Sequence, residues 1–291
     1  MVDAPSAGLS LTPRRLVREA ADRLHRAGIE RPQREAGWLL SGLLRRAPTL
    51  LMVDETPVDA TTAERFRQLV TAREAHQPLQ YLLGSAFFLD LEFEVTPATL
   101  VPRPETEALV ETAAYLVGER SCLALDVGTG SGCVAIGLTH RRTACRMVAV
   151  DRSVEALQVA GRNARRHGVA GRIAFLLGDW CDALRGMQAF DCIVSNPPYI
   201  PTDELVSLPL DVQQEPRAAL DGGSDGLCYH RRLLDDGRRL LRAGGWLAME
   251  LGLGQAGPVA AWVRRLGGWT EPILVRDQRE IARILVTTKA V

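Results

Sequence analysis

The sequence has almost no lysine: Lys289 is the only one, and arginine supplies the rest of the positive charge, a bias that reads as compositional. It also has no net charge, with 35 Lys plus Arg against 35 Asp plus Glu. A neutral chain argues against a broad, sequence-independent grip on nucleic acid, which needs a basic footprint. No two of the six cysteines (Cys122, Cys133, Cys145, Cys181, Cys192 and Cys228) stand at C-x-x-C spacing, which argues against a zinc knuckle or a dithiol redox motif. The histidines are scattered, and none is assigned to a metal or to catalysis. No apolar run reaches the ~18 residues of a membrane span, and the N-terminus lacks a charged-then-apolar signal region. The expected location is the cytoplasm, without membrane contact. Internal repeats and low-complexity tracts are missing too.

What is present is ordinary globular material: 291 residues, 46% hydrophobic and 24% charged, enough for one large domain and a smaller one. Thr12-Pro13 reads as an N-cap followed by proline in the first turn, and Leu16, Val17, Ala20, Ala21 and Leu24 follow at helical spacing. Similar patterns run from about Gln33 to Leu44 and from about Thr62 to Arg73, so residues up to 75 are expected to form a small helical domain. Residues 86–95 alternate imperfectly and suggest a strand or hairpin within a connector spanning 76–103. From 104 to the end, apolar runs at 123–128, 146–151, 172–177, 190–196 and 245–251 alternate with helical stretches at 132–141, 153–166, 226–242 and 255–266. That rhythm predicts an α/β domain with a mostly parallel sheet and helices on both faces. Two final strands, in 269–277 and 279–288, are expected as an antiparallel hairpin at the sheet edge.

Chemistry gathers where these strands end. Asp126-Val127-Gly128-Thr129-Gly130-Ser131-Gly132 follows the first strand and opens a helix. Glycines there let the backbone turn tightly and approach a ligand closely, although such a loop also serves purely as a turn. Asp151 ends the next strand, where a carboxylate can accept both hydroxyls of a ribose. The competing reading is that it caps the following helix. Asp179 and Trp180 follow the third strand, placed for an adenine amine and for stacking, against the alternative of a tryptophan packed beneath a loop. Ser195-Asn196-Pro197-Pro198-Tyr199-Ile200 closes the fourth strand and is the strongest signal in the chain. Two prolines cannot donate hydrogen bonds or continue a central strand. The Asn196 side-chain carbonyl and the Pro197 carbonyl then form two acceptors for a planar NH2 group, with Tyr199 against its face. This chemistry suits methylation of an amide or amino nitrogen, where positioning and aimed dipoles do most of the work.

With these residues in place, the chain resembles the release factor glutamine methyltransferases (PrmC/HemK-like). Besides the motifs above, Pro78-Leu79-Gln80-Tyr81-Leu82-Leu83-Gly84, Val101-Pro102-Arg103-Pro104-Glu105-Thr106-Glu107, Glu215-Pro216-Arg217-Ala218-Ala219-Leu220 and Gly223-Ser224-Asp225-Gly226-Leu227 follow the family pattern. Gln214 and His76 depart from it, and the helical domain is only loosely similar. The resemblance implies a Rossmann-like class I methyltransferase domain with a seven-stranded sheet over 104–291, the hairpin connector at 76–103, and a helical substrate-recognition domain at 1–75. It implies methyl transfer from S-adenosylmethionine to the side-chain amide of the glutamine in the Gly-Gly-Gln motif of peptide-chain release factors, with no direct nucleic-acid partner. Gly128, Thr129, Gly130, Ser131, Gly132, Asp151, Asp179, Trp180 and Asn196 would then meet the cofactor, and Asn196, Pro197, Pro198 and Tyr199 the substrate, with Asn196, Pro197 and Tyr199 carrying the chemistry. Two other readings stand beside this one. The first is methylation of an adenine amino group in nucleic acid, since N-P-P-Y alone is shared with such enzymes. The second is a non-catalytic adaptor, opposed by the intact glycine loop, Asp151 and N-P-P-Y.

Overall fold

The computed structural model describes residues 11–184, 186–277 and 279–291. The chain divides after Gly84 into two compact units.

The first unit is helical: α1 (Pro13–Arg26), α2 (Pro32–Leu44), α3 (Ala60–Glu74) and the short α4 (Leu79–Leu83). Prolines open α1 and α2, where their missing N–H costs nothing. Thr12 occupies the N-cap of α1 as the sequence suggests, yet its side chain makes no capping bond; Asp59 does cap α3, accepting from the Thr62 amide at 2.9 Å. Leu16, Leu24, Leu39, Leu40 and Phe66 fill the interior. The Arg73 guanidinium lies in that interior, paired to Glu35 at 2.6 Å and donating to the Gln77 carbonyl at 3.1 Å. Removing Glu35 would leave a buried charge without its carboxylate.

The second unit begins with a hairpin, β1 (Ser85–Phe88) and β2 (Leu91–Glu94). Its two turn residues, Leu89 and Asp90, both have positive φ (51° and 63°), as the tight hairpin turn demands. The Glu107 carboxylate accepts the Leu89 amide at 2.9 Å and holds that turn. Phe88 and Phe93 point into the same core as the following helices, and Asn163 binds the Glu94 backbone at both ends of its amide, at 2.8 and 3.0 Å.

Then come α5 (Pro104–Val117), β3 (Cys122–Val127), α6 (Cys133–Arg141), β4 (Cys145–Asp151), α7 (Val154–Arg166), β5 (Ile173–Leu177), β6 (Phe190–Ser195), α8 (Cys228–Leu240), β7 (Leu241–Glu250), α9 (Ala256–Leu266), β8 (Ile273–Arg276) and β9 (Ala282–Thr288). The seven strands from β3 onward are ordered β5-β4-β3-β6-β7-β9-β8. All neighbours from β5 to β7 are parallel, while β9 runs antiparallel to β7 and β8. This is the seven-stranded, Rossmann-like sheet that the resemblance implied. Alternate residues feed opposite faces. Ala124 and Val194 join α5, α6 and α7 on one side; Leu125 and Ile193 join α8 and α9 on the other.

Two details differ from the sequence reading. The helix α5 lay unrecognised, although Leu109, Val110, Ala113, Ala114 and Val117 are all buried at helical spacing. The strand β7 starts at Leu241, earlier than residue 245, because Leu241 is buried beside Phe190. The last two strands form the expected antiparallel pair at the sheet edge: β9 lies between β7 and β8, its Ile284, Leu285 and Val286 are buried, and Ile273 of the outer β8 is exposed. The sheet reverses its winding between β3 and β6, and a crevice opens there at the strands' carboxyl ends.

Candidate active site

At that reversal the chain leaves β3 through three glycines with positive φ: Gly128 (76°), Gly130 (56°) and Gly132 (82°). The Gly128 and Thr129 amides both donate to the Val150 carbonyl, at 2.9 and 3.0 Å, which folds the loop back across β4. The three glycines are not equivalent. Gly128 and Gly130 line a cavity, whereas a Cβ on Gly132 would stand 3.1 Å from the Ala160 Cβ. Gly132 therefore lets α6 and α7 pack closely. Thr129 and Ser131 also face away from the cavity: both are buried, and the Thr129 hydroxyl donates to Asp126 at 2.7 Å.

Asp151 does line the cavity. Its carboxylate accepts from the Gly130 amide at 2.8 Å and from the Ser153 amide at 3.0 Å. It does not cap α7; Ser153 does, accepting from the Ala156 amide at 3.0 Å. A carboxylate has about four acceptor positions, so two remain for hydroxyls. Asp179 and Trp180 close the same cavity. Trp180, with positive φ, is buried, and its ring leans on Tyr229 with centroids 4.8 Å apart. It both packs under its loop and borders the cavity. Tyr229, Leu100 and Ala219 complete the wall, and the sequence reading missed all three.

The N-P-P-Y segment divides its residues between two cavities. Pro198 lines the first; Pro197 and Tyr199 line a second, with Arg103, Glu105, Glu250 and Arg283. Asn196 lines both. Its Nδ2 donates to the Thr106 hydroxyl at 2.9 Å, which leaves Oδ1 without a partner among the described residues. The Pro197 carbonyl is likewise free among them.

Long-range contacts hold this segment. The Ser195 hydroxyl donates to the Val127 carbonyl at 2.7 Å, tying the ends of β6 and β3. Gln255 donates to the Tyr199 carbonyl at 2.8 Å. Gly222 and Gly226 press on the Tyr199 backbone so closely that a Cβ would come to 2.7 Å from its Cα and 2.4 Å from its carbonyl oxygen, respectively. Opposite, Glu215 is buried; it accepts from the Val101 amide at 2.9 Å and pairs with the Arg103 guanidinium. Burial raises its pKa, and Arg103 opposes that rise. The Val101–Glu107 and Glu215–Leu220 segments therefore clip to each other beside the second cavity.

Two buried carboxyls flank the site. Burial pushes Asp126 up to about 7, against hydrogen bonds from Thr129 and Ala135. Burial likewise pushes Glu250 up to about 7, with Thr106 and Tyr199 opposing and Glu105 adding to the rise. The Tyr199 hydroxyl, also raised by burial, sits 3.4 Å from Glu250 Oε1. A carboxyl whose pKa rises on folding contributes stability that is complete below its unfolded pKa of ~4 and is lost as pH climbs through about 7. Glu250→Gln removes that dependence. Relative to the variant, the wild type should lose thermal stability between about pH 5 and about pH 8, read by calorimetry. A difference that stays constant across that range contradicts the burial argument.

Comparison with known proteins agrees with this architecture. Residues 15–84 match a family model described as the PrmC N-terminal domain, and residues 119–250 match one described as a methyltransferase domain. The chain is 44% identical over 272 residues to a release factor glutamine methyltransferase of Moorella thermoacetica, covering 92% of this chain and 95% of the relative. It is 41% identical to the one of Geobacter sulfurreducens, covering 89% and 90%. Among solved structures, a methyltransferase from Pyrococcus furiosus superposes with a TM-score of 0.51 at 18% identity, over 80% of this chain and 100% of that one. The hMettl16 catalytic domain superposes with a TM-score of 0.57 at 16% identity, over 80% and 82%. At such identities the likeness is one of fold. No helix among the described residues is long and apolar enough to cross a membrane.

Proposed function

Since the chain belongs to the release factor glutamine methyltransferase family, we propose that Asn196 and Pro197 hold the side-chain amide of the substrate glutamine at the meeting point of the two cavities. The protein is an S-adenosylmethionine-dependent protein-glutamine methyltransferase. The substrate glutamine is that of the Gly-Gly-Gln motif in peptide-chain release factors, and the reaction runs in the cytoplasm.

The first cavity suits the cofactor. Gly128 and Gly130 present bare backbone, Asp151 keeps acceptor positions for the ribose hydroxyls, and Asp179, Trp180 and Tyr229 form the remaining wall. When bound there, S-adenosylmethionine supplies an electrophilic methyl on a sulfonium sulfur. The protein's part is to present the nucleophile. An amide nitrogen is weak because its lone pair is delocalised. The Asn196 Oδ1 and the Pro197 carbonyl accept its two hydrogens, orient it, and return electron density to it. Tyr199 bounds the amide's face from the second cavity. The observation that carries the reading is Asn196 itself, which lines both cavities with its carbonyl oxygen unpartnered among the described residues.

The N-terminal helical unit is assigned to recognition of the protein substrate. In its support, Leu50, Met52 and Val53 lie together on its surface, each more than half exposed.

The test is incubation with methyl-labelled cofactor and purified release factor. Label should enter the release factor and be lost when the glutamine of Gly-Gly-Gln is changed to alanine. Label confined to added DNA or RNA favours a nucleic-acid enzyme instead, and no label in any acceptor favours an adaptor.

A further inference from the structure

We propose that Arg283, held in place by Asp277, is a specificity residue whose guanidinium grips a main-chain carbonyl of the Gly-Gly-Gln segment in the second cavity. The inference rests on the assignment of that cavity to the substrate glutamine, and it extends the grip from the side-chain amide to the backbone that carries it.

Glycines offer no side chain to a binding site, so a protein that reads them must meet their main chain. Each such residue presents one N–H and one C=O. The Asn196 and Pro197 oxygens are acceptors and have nothing to give a substrate carbonyl, which needs a donor. Arg103, Glu105, Glu250 and Arg283 line the second cavity, and a guanidinium supplies donors alone. Arg103 is committed to Glu215. Arg283 is placed differently. Its carbonyl accepts the Leu251 amide at 2.7 Å, and the next residue, Ile284, pairs with Glu250, so its backbone is fixed beside the end of β7. Its Nε donates to Asp277 Oδ2 at 3.1 Å. The other Asp277 oxygen accepts the Arg279 and Ile281 amides at 2.8 and 3.0 Å, which locks the carboxylate into the turn between β8 and β9. Asp277 therefore steadies one edge of the guanidinium and leaves both Nη groups without a partner among the described residues. The Arg283 side chain is only 19% exposed, so water reaches little of it. A cation so withdrawn is costly until it meets an acceptor. A peptide carbonyl is one, and a hydrogen bond from a charged donor is about twice as strong as a neutral one. The rigid fork of arginine, held at Nε, directs its remaining donors rather than letting them wander.

The experiment compares Arg283→Met, Asp277→Asn and the double variant with wild type on release factor, reading kcat and KM for the protein substrate and, separately, the cofactor Kd. Arg283→Met keeps the length of the side chain and removes its donors; KM should rise about tenfold, the order of one lost hydrogen bond from a charged group. A main-chain contact is made before and during methyl transfer alike, so kcat should fall by less than about threefold. Asp277→Asn keeps an oxygen for the Arg279 and Ile281 amides but turns an NH2 toward Arg283, which frees the guanidinium; KM should rise by about threefold. Because Asp277 acts through Arg283, the double variant should be no worse than Arg283→Met. A merely structural role for either residue would make the two losses add. In all three the cofactor Kd should stay within about twofold, which also reports a folded site. A crystal structure of the wild type with a Gly-Gly-Gln peptide should place an Arg283 Nη within ~3 Å of a main-chain carbonyl of that segment. The proposal is overturned if Arg283→Met keeps the wild-type KM, if its loss falls on kcat alone or follows cofactor affinity, if Asp277→Asn worsens Arg283→Met, or if Arg283 meets no peptide carbonyl in the complex. Failure of the wild type to methylate release factor at all would instead sink the functional reading beneath it.

Discussion

Asn196→Ala should lower turnover on release factor by about 10²–10³-fold, the scale on which one pre-aimed polar group acts in a transition state. The variant removes the Asn196 side-chain acceptor at the junction of the cavities, while the Pro197 carbonyl remains. One acceptor fixes one N–H and leaves the amide free to swing about it, so the nitrogen spends little time on the line of attack. Cofactor affinity should change far less, by no more than about fivefold, because Gly128, Gly130, Asp151, Asp179, Trp180 and Tyr229 still line the first cavity. Rapid-quench turnover and calorimetric titration of the cofactor separate the two effects. Cofactor affinity lost with turnover kept would reverse the assignment of roles.

The second large effect belongs to Asp151→Ala. Hydrogen bonds to a charged group contribute ~1.5–3 kcal/mol each, so losing the acceptor for ribose hydroxyls should weaken the cofactor by about 10–100-fold or more. Part of that loss is indirect, since the Gly130 amide also donates to this carboxylate and would be left to water. Asp151→Asn separates the contributions. It keeps an oxygen for the Gly130 amide but replaces the other acceptor with a donor and removes the charge. Its affinity should lie between wild type and alanine. Because Ser153, not Asp151, caps α7, neither variant should unravel that helix, and circular dichroism should be unchanged. A cofactor Kd equal to wild type in Asp151→Ala would remove the ribose assignment.

The candidate-site residues legible in the sequence are those whose proposed roles follow from neighbours along the chain. Gly128 and Gly130 stand within the glycine run, Asp151 ends its strand, and Asn196 to Tyr199 form one unbroken segment. Local rules find them because a strand end, a turn and a helix start leave local signatures. Thr129, Ser131 and Gly132 share the glycine loop with the cavity residues, but the first two are buried and Gly132 packs against Ala160. What stayed hidden is assembled across the sheet. Thr106 meets Asn196 from 90 residues away, Glu215 meets Arg103 from 112, and Glu250 meets Tyr199 from 51. No periodicity encodes such meetings; they exist only once β3, β6 and β7 lie side by side. The insertion of β9 between β7 and β8 was illegible for the same reason, since two adjacent apolar runs read as a hairpin whichever of them lies inside.

The Glu250 carboxylate links these observations to stability. A buried acid with a pKa near 7 destabilises the fold at neutral pH relative to a neutral isostere. Sites that hold such groups trade stability for a directed polar network.

The most direct measurement is a crystal structure of the protein with a Gly-Gly-Gln peptide and the demethylated cofactor. The account predicts the glutamine amide nitrogen within ~3 Å of both Asn196 Oδ1 and the Pro197 carbonyl, with its open face toward the cofactor sulfur. A glutamine lodged elsewhere, or an Asn196 that turns its NH2 toward the bound amide, would contradict it.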